Sequence, residues 1–292
     1  MDGIKKRVKR RLPLAVMFLI LVVGLAVLLY PTASNLISQY TAHTEIYTYN
    51  TAVNKLDTTE IDNLYKQAVD YNRALAEGNS EVLSAVSYEK LLSVTDAIGY
   101  VDIPKLSIYL PIYHGTEEEA LKNGVGHMSG TSLPVGGTDT HSILAAHTGL
   151  PTAELFTSID RLVTGDVFYI HVLGEILAYK VDQIKVVLPE ELDDIQIVSG
   201  EDYVTLLTCT PYGINDHRLL VRGTRIPFTE SDDEQSEELP NAPTVSDEEE
   251  QLPLETILWF WGSVAVTVIL TIIMLILFLP VGRKRNNKHS KP

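Results

Sequence analysis

Two long apolar runs bracket this chain and leave only its middle free to build a water-soluble fold. Leu12 to Tyr30 is 19 residues without a charge, and Thr256 to Gly282 is 27. Each is long enough to cross a hydrocarbon core as a helix, which takes about 20 apolar residues. A cleaved signal peptide is the competing reading of the first run. That run is longer than a typical signal core and Thr32-Ala33-Ser34 makes a poor cleavage site, so it reads as an uncleaved anchor. Basic residues crowd the outer flanks: Lys5, Lys6, Arg7, Lys9, Arg10 and Arg11 before the first run, and Arg283, Lys284, Arg285, Lys288 and Lys291 after the second. Such flanks stay on the cytoplasmic side. Both termini are therefore expected inside the cell membrane and the middle outside.

That middle is strongly acidic. Between residues 31 and 253 there are 36 Asp and Glu against 12 Lys and Arg, which argues against a nucleic-acid or anionic-lipid surface. The chain has one cysteine, Cys209, so no intramolecular disulfide can staple the external part. A lone thiol in an oxidising compartment is a liability, easier to understand if the thiol is needed.

The texture of the chain divides it further. Residues 1–11 are a basic tail, 12–30 the first span, 31–97 a helical segment, 98–228 a β-rich domain, 229–253 a linker, 254–281 the second span and 282–292 a basic tail. In the helical segment Asp57-Thr58-Thr59-Glu60 has the spacing of a capping box. Ile61, Leu64, Tyr65, Ala68, Tyr71 and Leu75 follow at helical intervals, and Gly78 is placed to end the helix. This stripe reads as a face packed on the next domain rather than as a regulatory arm.

From residue 98 the fold class is mainly β. Short β-favouring runs alternate with turn residues at Gly99–Ile103, Ser107–Tyr113, Ser142–Ala146, Asp166–Val172, Ile176–Leu188, Tyr203–Thr208 and His217–Thr224. This spacing predicts a sandwich or closed barrel, with a hairpin turn at Gly174-Glu175. The linker TESDDEQSEELPNAPTVSDEEEQLP has ten acidic residues and three prolines; it cannot support a core and reads as a self-repelling spacer.

Cys209 ends Thr205-Leu206-Leu207-Thr208-Cys209, ahead of the turn signal Thr210-Pro211-Tyr212-Gly213. Free cysteine usually acts as a small buried hydrophobe. A nucleophilic one needs a base or cation for its thiolate and a donor for the oxyanion it creates. Of eight histidines, His147 has the most suggestive position, where Ser142–Ala146 meets the loop Thr148-Gly149; His127 and His141 compete. Arg218 stands nine residues after the thiol, with Arg222 and Arg225 as rivals. Arg218 and Arg222 would share a face of a straight strand, so periodicity does not choose between them. No clustered His and Cys spacing calls for a metal, and no glycine motif for a phosphate, so no metal or cofactor is expected.

The segment Thr205–Gly223, TLLTCTPYGINDHRLLVRG, resembles the active-site strand, loop and strand of the sortases, cysteine transpeptidases of Gram-positive cell surfaces. HSILAAHTGLP, from His141 to Pro151, resembles the family's histidine segment. The stretches IPKLSIYLPIYHGT, GVGHMSGTSLPVGG and FYIHVLGEILAYKVDQI are similar to the class C, pilus-building branch, and the likeness covers residues 98 to 228. It implies a sortase-type eight-stranded barrel with short helices. It also implies Cys209 as nucleophile, His147 as general acid/base and Arg218 as the oxyanion or substrate-orienting group. The implied partners are pilin or surface proteins with LPXTG-like sorting signals, joined through a thioacyl intermediate to a lysine amine. A general sortase acting on the cell-wall peptide, and an inactive assembly scaffold, are the alternatives. One departure stands out: class C enzymes commonly carry an Asp-Pro-aromatic lid motif before the barrel. This chain has no proline between Pro31 and Pro104, and Tyr88 is the only aromatic candidate for such a role.

Overall fold

The computed structural model describes residues 2–191 and 193–228. The expected acidic linker, second span and C-terminal tail lie outside them. Eight strands, β1 (Ala97–Ile103), β2 (Ile108–His114), β3 (Val125–His127), β4 (Thr140–Ala145), β5 (Val167–Val172), β6 (Glu175–Val187), β7 (Asp202–Thr210) and β8 (His217–Ile226), close into a barrel in the order β1-β2-β3-β4-β7-β8-β6-β5. The pairs β2/β3 and β4/β7 are parallel. Closure removes the exposed edges that would otherwise invite pairing with another chain.

All seven expected runs become strands, within two residues at either end. The eighth, β3, is the one the sequence hides. Val125-Gly126-His127 is too short to alternate, and it is a strand because Gly126 lets the backbones of Gly115 and β3 approach; a Cβ there would lie 2.3 Å from the Gly115 carbonyl oxygen. The β5–β6 turn also differs from expectation by one residue. Val172 pairs with Glu175, so Leu173-Gly174 form the loop, both at positive φ (50° and 85°), as the favoured two-residue hairpin turn requires. Leucine tolerates this because its N–H is held by the Tyr49 hydroxyl at 2.8 Å and its side chain is buried.

Four helices precede or interrupt the barrel. α1 (Asp2–Val53) carries the N-terminal apolar run, the one helix among the described residues long and apolar enough to cross a membrane. Its far half buries Ala42, Ile46, Tyr49 and Val53, spaced as one helical face, beside β1 and β2. α2 (Thr58–Ala76) begins with the expected capping box, Asp57 and Glu60 bonding each other's backbone N–H. It ends with Gly78 at φ +65°, where Gly78 N–H bonds Leu75 O and Asn79 N–H bonds Ala74 O, a Schellman closure. Its buried face packs on the barrel, as the stripe predicted. Asn72 there both donates to Leu133 O (3.0 Å) and accepts from Leu133 N–H (2.7 Å), fixing the β3–β4 loop. α3 (Ser80–Ala85) and a 3-10 turn at Tyr88–Lys90 lead into β1, and α4 (Glu118–Asn123) links β2 to β3.

Candidate active site

The pleat of β7 decides where its thiol points. Leu206 pairs with Val221, and Thr208 with Leu219; Leu206, Val221 and Leu219 belong to the interior core. Side chains alternate along a strand, and directly opposed residues share a face. Cys209 and its register partner Arg218 therefore meet on the outer face, one position beyond the Thr208–Leu219 pair. β4 runs parallel on the other flank of β7, with Leu144 beside Leu206 and Ala145 beside Leu207. The adjacency continues past the strand end. Ala146 N–H donates to Leu207 O at 3.1 Å, and Thr208 Oγ1 donates to Ala146 O at 2.8 Å. Ala146 belongs to the core, and the β4 alternation carried one residue further would turn His147 to the face of Cys209. Cys209 and Arg218 thus stand paired on adjacent strands, His147 lies two residues beyond the end of the neighbouring β4, and all three are half-buried.

The loops around them are fixed by local bonds. His147 O accepts from Phe156 N–H (3.2 Å), and Gly149 N–H donates to Thr157 Oγ1 (3.0 Å). Gly149 sits at φ +73°, and a Cβ on it would come within 3.0 Å of the Tyr212 ring. The β4–β5 and β7–β8 loops therefore touch through a glycine and an aromatic side chain. Tyr212 is a wall residue that sequence reasoning passed over, since Pro-Tyr-Gly signals only a turn.

Geometry also separates the arginines. Arg222 faces Thr205, four register positions from the thiol. It binds Asp182 through two bonds (3.1 and 2.7 Å) and lies 4.1 Å over the Tyr203 ring. Arg225 is 3.8 Å from Asp202 and lies over Tyr179. Arg218 Nη1 bonds only backbone oxygens, of Asn215 (3.2 Å) and His217 (3.0 Å), among the hydrogen bonds described. Among the described residues no carboxylate forms an ion pair with it.

The rival histidines are occupied elsewhere. His127 is fully buried, its Nε2 on Ser132 O (2.8 Å) and its Nδ1 on the Tyr88 hydroxyl (2.7 Å), and burial pushes its pKa down to about 4. His141 bridges Gln196 O and Thr205 Oγ1, and burial lowers its pKa too. His217 bonds Asp216 and falls on the opposite parity from Arg218. Tyr88, considered as a cover for the thiol, bonds β3 and the residue after β2. Its hydroxyl oxygen also lies 3.0 Å from His127 O and accepts Gly115 N–H. No group of three His, Cys, Asp or Glu among the described residues is arranged to hold a metal. A thiol, an imidazole and an uncommitted guanidinium on one face form a set suited to attack on a carbonyl.

Comparison with known proteins agrees with this chemistry. The sortase domain family model matches residues 101–226. The chain is similar to the solved "Sortase C1 of GBS Pilus Island 1", at 49% identity over 65% of this chain and 94% of that one, with a TM-score of 0.60. It is similar as well to Clostridium perfringens sortase C, solved with the C-terminal cell wall sorting motif, at 49% identity over 64% and 100% of the two chains and a TM-score of 0.58. Sortase A of Streptococcus agalactiae serotype III (strain NEM316) is 27% identical over 66% of this chain and 76% of its own length.

Proposed function

The chain belongs to the sortase family of cysteine transpeptidases, on its class C side, and we infer that it is a membrane-anchored enzyme that joins pilin subunits. In this reading the Cys209 thiolate attacks the threonine carbonyl of an LPXTG-like sorting signal. Arg218 stabilises the oxyanion or orients the peptide, and His147 protonates the departing amine. A thioacyl bond to Cys209 remains. His147 then takes a proton from a lysine amine of a second subunit, which attacks the thioester, frees the thiol and leaves an isopeptide bond. The basic flanks support two spans with both termini inside and the barrel outside.

One observation carries the assignment of roles: Cys209 faces Arg218 across β7 and β8, and β4, paired in parallel with β7, ends two residues before His147. A panel of variants assayed on a fluorogenic LPXTG-like peptide tests it. Cys209→Ala abolishes cleavage with the fold intact. His147→Ala lowers kcat by about 10²–10⁴, the usual worth of a general acid/base. Arg218→Ala falls far below Arg222→Ala, and His141→Ala and His217→Ala keep most of their activity. If His217→Ala is the dead variant and His147→Ala works, the role given to His147 is wrong.

A further inference from the structure

The anchor helix and the loop that follows His147 meet. α1 is one helix from Asp2 to Val53, so the rod that carries the apolar run is the rod on which the barrel is packed. Nearer the apolar run, Asn35 Oδ1 accepts the N–H of Glu154 at 3.0 Å. This ties the loop that begins at His147 to the helix, and residues 33–36 are half-buried as a result. Asn35 lies five residues after Tyr30, about 8 Å of helical rise. The headgroup layer on each side of a bilayer is about 5–8 Å thick. The β4–β5 loop, whose Gly149 lies against Tyr212 of the β7–β8 loop, is therefore tied to the helix at about headgroup level. Large side chains are exposed on the β7–β8 loop, Tyr212 at 70% and Ile214 at 68%, and on α1 just after Asn35, Ile37 at 66% and Tyr40 at 51%. Tyrosine is favoured at membrane–water interfaces, where its ring is buried and its hydroxyl is wet.

We propose that the β7–β8 loop is a membrane-contact element, with Tyr212 and Ile214 resting in the interfacial layer of the bilayer that α1 enters, so that the site opens at that surface. The proposal rests on the reading of α1 as a membrane anchor. The occupant is lipid because the apolar run ends within one and a half helical turns of the Asn35 contact. The acidity of the domain supplies no attraction to anionic headgroups; the contact comes from the tether and from apolar side chains.

Nitroxide labels in the full chain, reconstituted into phosphatidylcholine vesicles, test this. In a Cys209→Ala background, Ile214→Cys reports on the loop and Val198→Cys, just before β7 at the other end of the barrel, is the control. The ratio of oxygen to nickel-chelate collision rates at 214 is expected to exceed that at 198 by about threefold or more, as for a group in contact with lipid. A ten-residue Gly-Ser segment inserted between Pro31 and Thr32, about 17 Å in r.m.s. length, is expected to bring 214 down to the value at 198. Chains that fail to float with the vesicles overturn the anchor reading and this proposal with it. Chains that float but show equal ratios at 214 and 198, or a ratio at 214 unmoved by the insertion, overturn the proposal alone.

Discussion

Environment gives the histidines of this chain different work. His127 donates from Nε2 to Ser132 O, so its Nδ1 accepts from Tyr88, and the ring is held neutral in the interior. Its pKa near 4 lies below the ordinary value of 6.5, with burial as the main cause; His114 and His141 are lowered for the same reason. Between those values the unfolded chain takes up a proton that the folded one refuses. Stability is then complete above about pH 6.5 and declines as pH falls toward 4, by on the order of 3 kcal/mol for His127 alone. Urea unfolding of residues 31–228 across this range is expected to show the decline, and His127→Asn to flatten it; an unchanged slope in the variant would assign the dependence to other groups. The sequence offered His127, His141 and His147 as competitors, and it could not rank Arg218 against Arg222. Both choices turn on what a side chain touches. Asp182, which neutralises Arg222, lies 40 residues away in sequence, and no local pattern announces it.

Elements were more legible than their partners. Alternation of apolar residues locates seven strands because each half-buries a pleated surface, and β3 escapes because its reason for existing is a glycine contact across the sheet. The first helix is a second case. The sequence divides it after residue 30 into a span and a separate helical segment, yet α1 runs unbroken through Pro31, although proline removes a hydrogen bond and crowds the preceding turn. The packing of Ala42, Ile46, Tyr49 and Val53 on the barrel gives the helix a reason to continue that composition does not express. The segment before β1 is a third. It lacks the Asp-Pro-aromatic motif, and Tyr88 docks on His127 and Gly115. His127 pairs with Leu144, three residues before His147, about 10 Å along the strand. Tyr88→Phe is therefore expected to cost about 1–3 kcal/mol in stability, through unsatisfied buried groups, while changing the rate of Cys209 modification by a small thiol reagent less than about twofold. A tenfold rise in that rate would mean that the Tyr88 segment shields the thiol.

At the scale of the molecule, charge and apolarity are sorted along the chain: basic tails, apolar runs, and an acidic middle that folds around a closed barrel. The barrel works as a frame. β7 and β8 pair Cys209 with Arg218, and β4, parallel to β7, leads into the loop that carries His147. This convergence was reachable from the sequence only through the family resemblance, because parallel pairing of β4 with β7 joins segments about 60 residues apart. The central claim is that this face forms and resolves a thioester. Mass spectrometry of the enzyme during turnover of an LPXTG-like peptide reads that event directly. The account predicts an added mass equal to the peptide up to its threonine, on the fragment containing Cys209, discharged when a lysine-bearing acceptor is supplied. Peptide cleavage that proceeds with no adduct on Cys209, or that persists in Cys209→Ala, would contradict it.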